Sequence, residues 1–204
     1  MYLFLKKLIT DYIILALLWI FYCVLHSVPA AAKWKSFLER NTGKLFRYYR
    51  ISYSIFFTIT LFGILYFQYS FKSTQLFQSL VLKYISLLLL LLPGLLIMGI
   101  SIFKYFKLLS GIRSLYQAKP SAHLKLEGIH KYVRHPLYLG TILFIWGLFF
   151  IFPMLNNLIA IIIITLYTLI GIQFEEKKLI KEFGNEYTEY IKKVPAIIPR
   201  FSNL

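Results

Sequence analysis

A single cysteine, Cys23, stands among 204 residues. It lies inside the first apolar run, so neither a disulfide framework nor a cysteine-rich metal site is available. Histidine is nearly as scarce: His26, His123, His130 and His135 are the four. The last three are seven and five residues apart, which does not place ligands one helical turn from each other. The many-histidine boxes of membrane di-iron oxygenases are absent, and no metal is expected. Charged residues make up 15% of the chain, against about 25% in an ordinary soluble domain. Internal repeats, low-complexity linkers and a soluble domain of any size are lacking too.

Acid is the scarcest of the charges. Eight Asp and Glu stand against 23 Lys and Arg, a net charge of +15. In a soluble protein that excess would suggest nucleic acid. Here the cations fall between long apolar runs, which points to loops lying against anionic lipid. Membrane lipids are therefore the expected partner, and nucleic acid is not.

What is present is apolar: 59% of residues are hydrophobic, 19% are aromatic, and the mean hydropathy is +0.68. A spanning helix needs roughly 20 mostly apolar residues. Five segments come close, at about 8–28, 51–69, 80–103, 137–152 and 158–174. The third contains Pro93-Gly94, which predicts a kink, and the fourth is short. The first could pass for a secretion signal, because it follows Lys6-Lys7 and precedes Ala30-Ala31-Ala32. It is longer than such a signal's core and four more runs follow, so a retained helix is expected. The runs are continuous rather than alternating, which excludes a barrel.

The fold class expected is all-α: a polytopic integral membrane protein of about five transmembrane helices. It forms one membrane domain, 1–204, with three helices in 1–103 and a loop, a helical hairpin and an amphipathic tail in 104–204. Of the 23 Lys and Arg, 19 fall in the first loop, the third loop and the C-terminal tail. By the positive-inside rule those regions face the cytoplasm and the N-terminus lies outside.

One stretch concentrates polar chemistry at the rim of an apolar segment: "GIHKYVRHPLYLG", residues 128–140. "PMLNN", 153–157, reads as a tight turn, so the fourth and fifth segments run antiparallel. That places Arg134, His135 and Tyr138 level with Glu175 and Glu176. Pro136 suits the first turn of a helix, with His135 near its N-cap. The free amides there attract a carboxylate or phosphate, and the two glutamates offer acceptors to hydroxyls or an amine. Such a set suits a zwitterionic, hydroxyl-bearing cofactor without naming it. Taken singly, each of these residues also reads as an interface anchor or a solvated helix face. The tail reads as helical to about Lys193, breaking at Pro195 and Pro199.

Gly128, Arg134, His135, Pro136, Tyr138 and Gly140 form a G-x-x-x-x-x-R-H-P-x-Y-x-G pattern. Glu175, Glu176, Leu179, Phe183, Gly184, Tyr187 and Tyr190 follow at E-E-x-x-L-x-x-x-F-G-x-x-Y-x-x-Y spacing, and Val194, Pro195 and Pro199 close it. This resembles the C-terminal half of the isoprenylcysteine carboxyl methyltransferase and phospholipid methyltransferase superfamily, over about 120–200. "LHSVPAAAKWK" and "YRISYS" look like the branch of methanethiol S-methyltransferases, NnrU-type proteins and nurim.

The resemblance implies an integral-membrane enzyme that uses S-adenosylmethionine in a cytoplasm-facing pocket. By position, His123, Leu124 and Lys125 would line that pocket from the loop, with Gly128 and His130 beside them. His130 stands where relatives usually carry tyrosine. His135, Pro136, Leu137 and Tyr138 would hold the cofactor at the helix start, with Glu175 and Glu176 opposite. Arg134, His135 and Glu175 are the candidate catalytic residues, and His135 or His130 a candidate base. The carboxyl methyltransferases carry an arginine one turn before the glutamate pair, where this chain has Gly171-Ile172-Gln173-Phe174. That departure favours a small thiol or a lipophilic acceptor over a prenylcysteine carboxylate; a phospholipid amine stays open. A non-enzymatic nurim-like membrane protein and an NADPH-dependent membrane reductase are the readings from other classes.

Overall fold

The computed structural model describes residues 2–29, 32–109 and 127–199. Eight α-helices are described: α1 Tyr2–Ser27, α2 Ala32–Thr42, α3 Tyr49–Ser70, α4 Leu80–Ser86, α5 Leu92–Leu109, α6 Pro136–Ile151, α7 Leu155–Phe183 and α8 Asn185–Lys193. A 3-10 turn, Gly43–Tyr48, joins α2 to α3, and a π turn, Leu87–Leu91, joins α4 to α5. No strand occurs among the described residues, only an isolated bridge between Gln75 and Met154. The molecule is an all-α polytopic membrane protein.

Four stretches are long and apolar enough to cross a bilayer: Lys6–Ser27, Trp34–Ser70, Leu80–Lys104 and Leu155–Phe183. Their large apolar side chains point outward in numbers no soluble protein tolerates, as at Phe62, Leu89 and Phe103. Lipid rather than water is the solvent that suits such faces. The fifth apolar helix, α6, has 16 residues and so is about 24 Å long, short of the roughly 30 Å hydrocarbon core. By contrast α7 has 29 residues. About 20 of them cross that core; counted from Leu155 they end at Phe174. Glu175 and Glu176 are thus the first residues of the overhang.

The chain divides into two compact units. In the first, residues 1–78, 105–120 and 153–164, Leu15, Trp19, Ile64 and Ala160 form the buried core. A polar chain runs beside them: Trp19 Nε1 donates to Gln68 Oε1 at 2.8 Å, and Gln68 Nε2 to Asn157 Oδ1 at 2.9 Å. Asn156 Nδ2 donates to the Gln68 carbonyl at 2.7 Å. In apolar surroundings each of these groups would be costly without its partner. Asn156 and Asn157 therefore sit in the first turn of α7, and the expected turn "PMLNN" shortens to its first two residues. Leu76 and Leu155 amides, donating to the Pro153 and Thr74 carbonyls, hold that turn down.

In the second unit, residues 79–104, 121–152 and 165–204, helices touch backbone to backbone. A Cβ on Gly94 would lie 2.6 Å from the Phe144 nitrogen, one on Gly140 2.8 Å from the Met98 nitrogen, and one on Gly147 2.7 Å from the Leu91 nitrogen. Small residues let membrane helices approach this closely. At the site of the expected kink, a π turn, Leu87–Leu91, lies just before Pro93. Proline has no N–H to donate and crowds the carbonyl four residues back, so the helix widens there. The segment 80–103, expected with the N-terminal helices, packs in this unit with α6. The tail is not one helix: the fifth span runs on to Phe183, and Gly184, at φ +56°, separates it from α8. A left-handed residue ends a helix, and glycine adopts it without strain.

Gly94→Ala and Gly140→Ala should each lower the unfolding midpoint in detergent, at a cost of roughly 1–3 kcal/mol from overpacking. Gly171→Ala, where nothing lies within 4 Å of the added carbon, should leave it unchanged. Thermal unfolding followed by tryptophan fluorescence checks both.

Candidate functional site

The polar stretch folds as a tight turn that feeds a helix. Gly128 takes φ +65° and opens a 3-10 turn, Gly128–Lys131. The Tyr132 and Val133 amides return to the Ile129 carbonyl at 3.1 and 3.2 Å, and Val133 is fully buried. His130 Nδ1 lies 3.2 Å from the Arg134 carbonyl, bracing the turn from inside. Pro136 starts α6 at the position where a missing N–H costs nothing. His135 is the N-cap residue, yet its side chain does not cap; its ring is turned toward α7 instead.

Arg134 joins three segments. Its Nε donates to Glu176 Oε1 at 2.8 Å, and Nη2 reaches the same oxygen. Nη1 donates to the carbonyls of Ile191, at 3.2 Å, and Val194. Those carbonyls close the C-terminal end of α8, where a cation also meets the negative end of the helix dipole. The backbone follows the side chain: the Arg134 amide donates to the Pro195 carbonyl at 2.9 Å and the His135 amide to Ala196 at 3.0 Å. Tyr190 Oη donates to the His130 carbonyl at 2.6 Å. The tail is thus strapped onto the Arg-His-Pro turn.

His135 is buried, and its Nε2 lies 3.1 Å from Glu176 Oε1. A carboxylate can only accept, so Nε2 is the donor, and in the neutral ring Nδ1 keeps a basic lone pair. That Nδ1 lies 3.7 Å from Glu175 Oε2. In that tautomer two acceptors lie near each other, with the Tyr138 hydroxyl beside Glu175, an arrangement that suits a donor of the ligand's own, an ammonium or a protic group. Glu175 is 43% exposed while Glu176 is 19% exposed. The Tyr138 ring stacks on His135, centroids 5.6 Å apart and 16° from parallel, with its hydroxyl beside Glu175. Tyr187 is fully buried beneath the clasp. Burial and then the Glu176 charge push its phenol up to about 12, against the opposing pull of Arg134, whose guanidinium can only donate to it.

Arg134, His135, Tyr138, Glu175 and Glu176 are therefore brought together, with Pro136 and Leu137 at the helix start between them. The two glutamates are not equivalent. Glu176 is held by Arg134 and His135, whereas Glu175 is the half-open one. Gly128 and His130 lie on the turn; Gly128 is next to the Lys104 side chain, its added carbon 3.5 Å from Nζ, and His130 faces the backbone of Arg134. Gly140 serves the packing against Met98 and not the polar cluster. His123, Leu124 and Lys125 lie outside the described residues. Sequence reasoning missed the strap formed by the carbonyls of 191–196. Backbone acceptors leave no side-chain signature, and the Val194-Pro195 pair was its only trace.

A family model described as phospholipid methyltransferase matches residues 82–186, a little over half of the chain. That range takes in the helix pair, the Arg-His-Pro turn and both glutamates. A methanethiol S-methyltransferase of Bradyrhizobium diazoefficiens is 40% identical over 74 residues, 35% of this chain and 27% of the relative. One of Crocosphaera subtropica is 36% identical over 98 residues, 45% of this chain and 37% of the relative. The protein-S-isoprenylcysteine O-methyltransferase of Schizosaccharomyces pombe is 37% identical over 79 residues, 37% and 33% of the two chains. The matched segments thus span roughly a third of the length of these curated relatives. No solved structure matches the chain.

Arg134→Lys keeps the charge but loses the planar fork that reaches Glu176 and the tail together. Amide hydrogen exchange at 190–196 should accelerate by roughly tenfold or more, since hydrogen bonds to charged groups contribute about 1.5–3 kcal/mol. Exchange in α6 beyond Gly140 should stay unchanged.

Proposed function

The chain belongs to the phospholipid methyltransferase family, and from that premise we propose that it is an integral-membrane methyltransferase. Its methyl donor is S-adenosylmethionine and its acceptor a small thiol or another lipophilic nucleophile. The single observation that carries this reading is the acceptor pair of His135 Nδ1 and Glu175 Oε2, set at an uncapped helix start. The donor set fits a zwitterion. Amides at the start of α6 suit its carboxylate, and the acceptor pair suits its ammonium or hydroxyls. The relatives named for methanethiol and isoprenylcysteine agree with a thiol or thioether-bearing substrate.

Bound there, S-adenosylmethionine supplies an electrophilic methyl group. The chain's own residues bind and orient. Leu137 and Tyr138 present amides, the His135–Tyr138 stack forms an aromatic wall, and Glu175 accepts from the ligand. Arg134 and Glu176 act as positioning residues: they fix the His135 ring and hold the tail over the turn. His135, with Nδ1 basic, is also placed to take the proton of a thiol acceptor. Gly128 and His130, on the turn beside the cluster, and, by the family resemblance, His123, Leu124 and Lys125 are proposed to bind the cofactor as well. Water exclusion and alignment of donor with acceptor supply most of the rate.

Substrate choice follows from an absence. The turn of α7 before the glutamates, Gly171–Phe174, holds no cation, Arg134 is engaged by Glu176 and the tail, and a carboxylate acceptor would meet the half-open Glu175 without a cation of its own. A neutral thiol meets no such barrier. The bias of Lys and Arg toward the first loop, third loop and tail supports a cytoplasmic face for this pocket.

His135→Ala with Glu175→Ala should weaken S-adenosylmethionine binding by roughly tenfold or more, read by calorimetry on protein whose thermal midpoint is retained. Undiminished affinity would remove both residues from the site. Transfer of a labelled methyl group should enter volatile thiols in preference to prenylcysteine analogues or total lipid. Label found mainly in prenylcysteine analogues would reverse the substrate assignment.

A further inference from the structure

The cations of the first loop are not spread evenly over a surface. They lie beside a hollow. Within the long apolar stretch Trp34–Ser70, the 22-residue α3 suffices by itself to cross a bilayer, and α2 with the following 3-10 turn carries Lys35, Arg40, Lys44 and Arg47, so this charged part reads as a connector between the spans of α1 and α3. Such a connector stays at the membrane surface, whichever face that is. On α2, Trp34, Phe37 and Leu38 recur at helical spacing on one side, and Lys35, Glu39 and Arg40 lie on the other. Trp34 and Phe37 are exposed and pack ring against ring, 5.9 Å apart. Beside them opens a cavity of about 300 Å³, with Leu38, Leu45, Phe46 and Tyr49 as its apolar lining and Thr42 and Ser52 at its edge. That volume is at the lower end of the range for ligand pockets.

Cations neighbour this lining. The Arg47 guanidinium sits 4.6 Å above the Tyr48 ring, and Tyr48 lines the same cavity. Lys44 lies next to Leu45. Across 33–50 there are six Lys and Arg and one acid, Glu39. An apolar trough with cations beside it, at the boundary between lipid and water, matches one chemistry: an amphiphile with an acyl chain and an anionic head. We propose that this hollow is a binding site for an anionic phospholipid of the surrounding leaflet. The acyl chain lies along Leu38, Leu45 and Phe46, and the phosphate meets Lys44 and Arg47. Diffuse attraction between a basic loop and an anionic surface depends on charge alone. A seated lipid depends on the shape of the trough as well, and that separates the two.

The full chain is reconstituted in nanodiscs of phosphatidylcholine with a minor share of phosphatidylglycerol, each spin-labelled in turn, and the motionally restricted fraction is read by electron spin resonance. Phosphatidylglycerol should be restricted in preference to phosphatidylcholine. Lys44→Gln with Arg47→Gln, both at exposed positions, should cut that preference by roughly fivefold per cation removed. Thr42→Phe with Ser52→Phe fills the trough without changing charge and should lower the restricted phosphatidylglycerol. Equal restriction of the two lipids by the unmodified chain overturns the proposal. So does an undiminished preference in the glutamine variant, or full retention by a folded trough-filled variant, which would mean surface attraction only. None of these outcomes bears on the methyltransferase site, whose cofactor affinity is measured separately.

Discussion

Arg134 and Glu176 form the ion pair around which the polar end of the molecule is organised. It sits where three segments meet: the turn into α6, the overhang of α7 and the tail after α8. Each segment alone would leave polar groups unsatisfied near an apolar phase. Turn amides, helix-end carbonyls and a buried imidazole find their partners only when all three are assembled. Removing one member of such a pair leaves a buried charge without its partner, which costs about 3–5 kcal/mol in measured cases. Here the same loss would release the tail and let the His135 ring turn. The pair therefore governs geometry more than net stability.

Geometry at this point has chemical content. Glu176 holds His135 Nε2 at 3.1 Å, and the other ring nitrogen lies 3.7 Å from Glu175. A family motif read along the chain lists Arg, His, Pro, Glu and Glu as equals. In three dimensions they divide into a structural group, Arg134 and Glu176, and the acceptor pair, His135 and Glu175. The adjacent pair of glutamates becomes two different tools because neighbouring residues on a helix point about 100° apart.

The membrane shapes the rest. A 29-residue α7 cannot fit within the hydrocarbon core, so its last turns stand outside and carry acids that lipid would exclude. The shorter α6 begins near the same level because the Pro153-Met154 link returns the chain at once. Glycines at 94, 140 and 147 let helices meet at backbone distance, and a π turn relieves the strain of Pro93 beside that contact. At the other end of α7, Gln68 and Asn157 form a buried polar chain with Trp19.

Much of the fold was legible in the residues themselves. Run lengths gave the five apolar helices, since a long apolar run in lipid has no alternative to a helix, though the first starts six residues earlier than expected and the last runs nine residues further, to Phe183. The hairpin, and the meeting of residues 134–138 with 175–176, followed from one short link. Other features were not legible. The tail read as a single helix because its periodicity crosses Gly184 unbroken, and periodicity does not report backbone angles. Asn156 and Asn157 read as a turn because asparagine favours turns; Gln68, far away in sequence, made them helical core. Composition and helix length by themselves determined that this is a membrane helix bundle with acids at one rim, because solvent alone sets that. Only the tertiary structure decided which glutamate is held and which is half open, because that depends on where Arg134 reaches, and its partners lie 42 to 61 residues further along the chain.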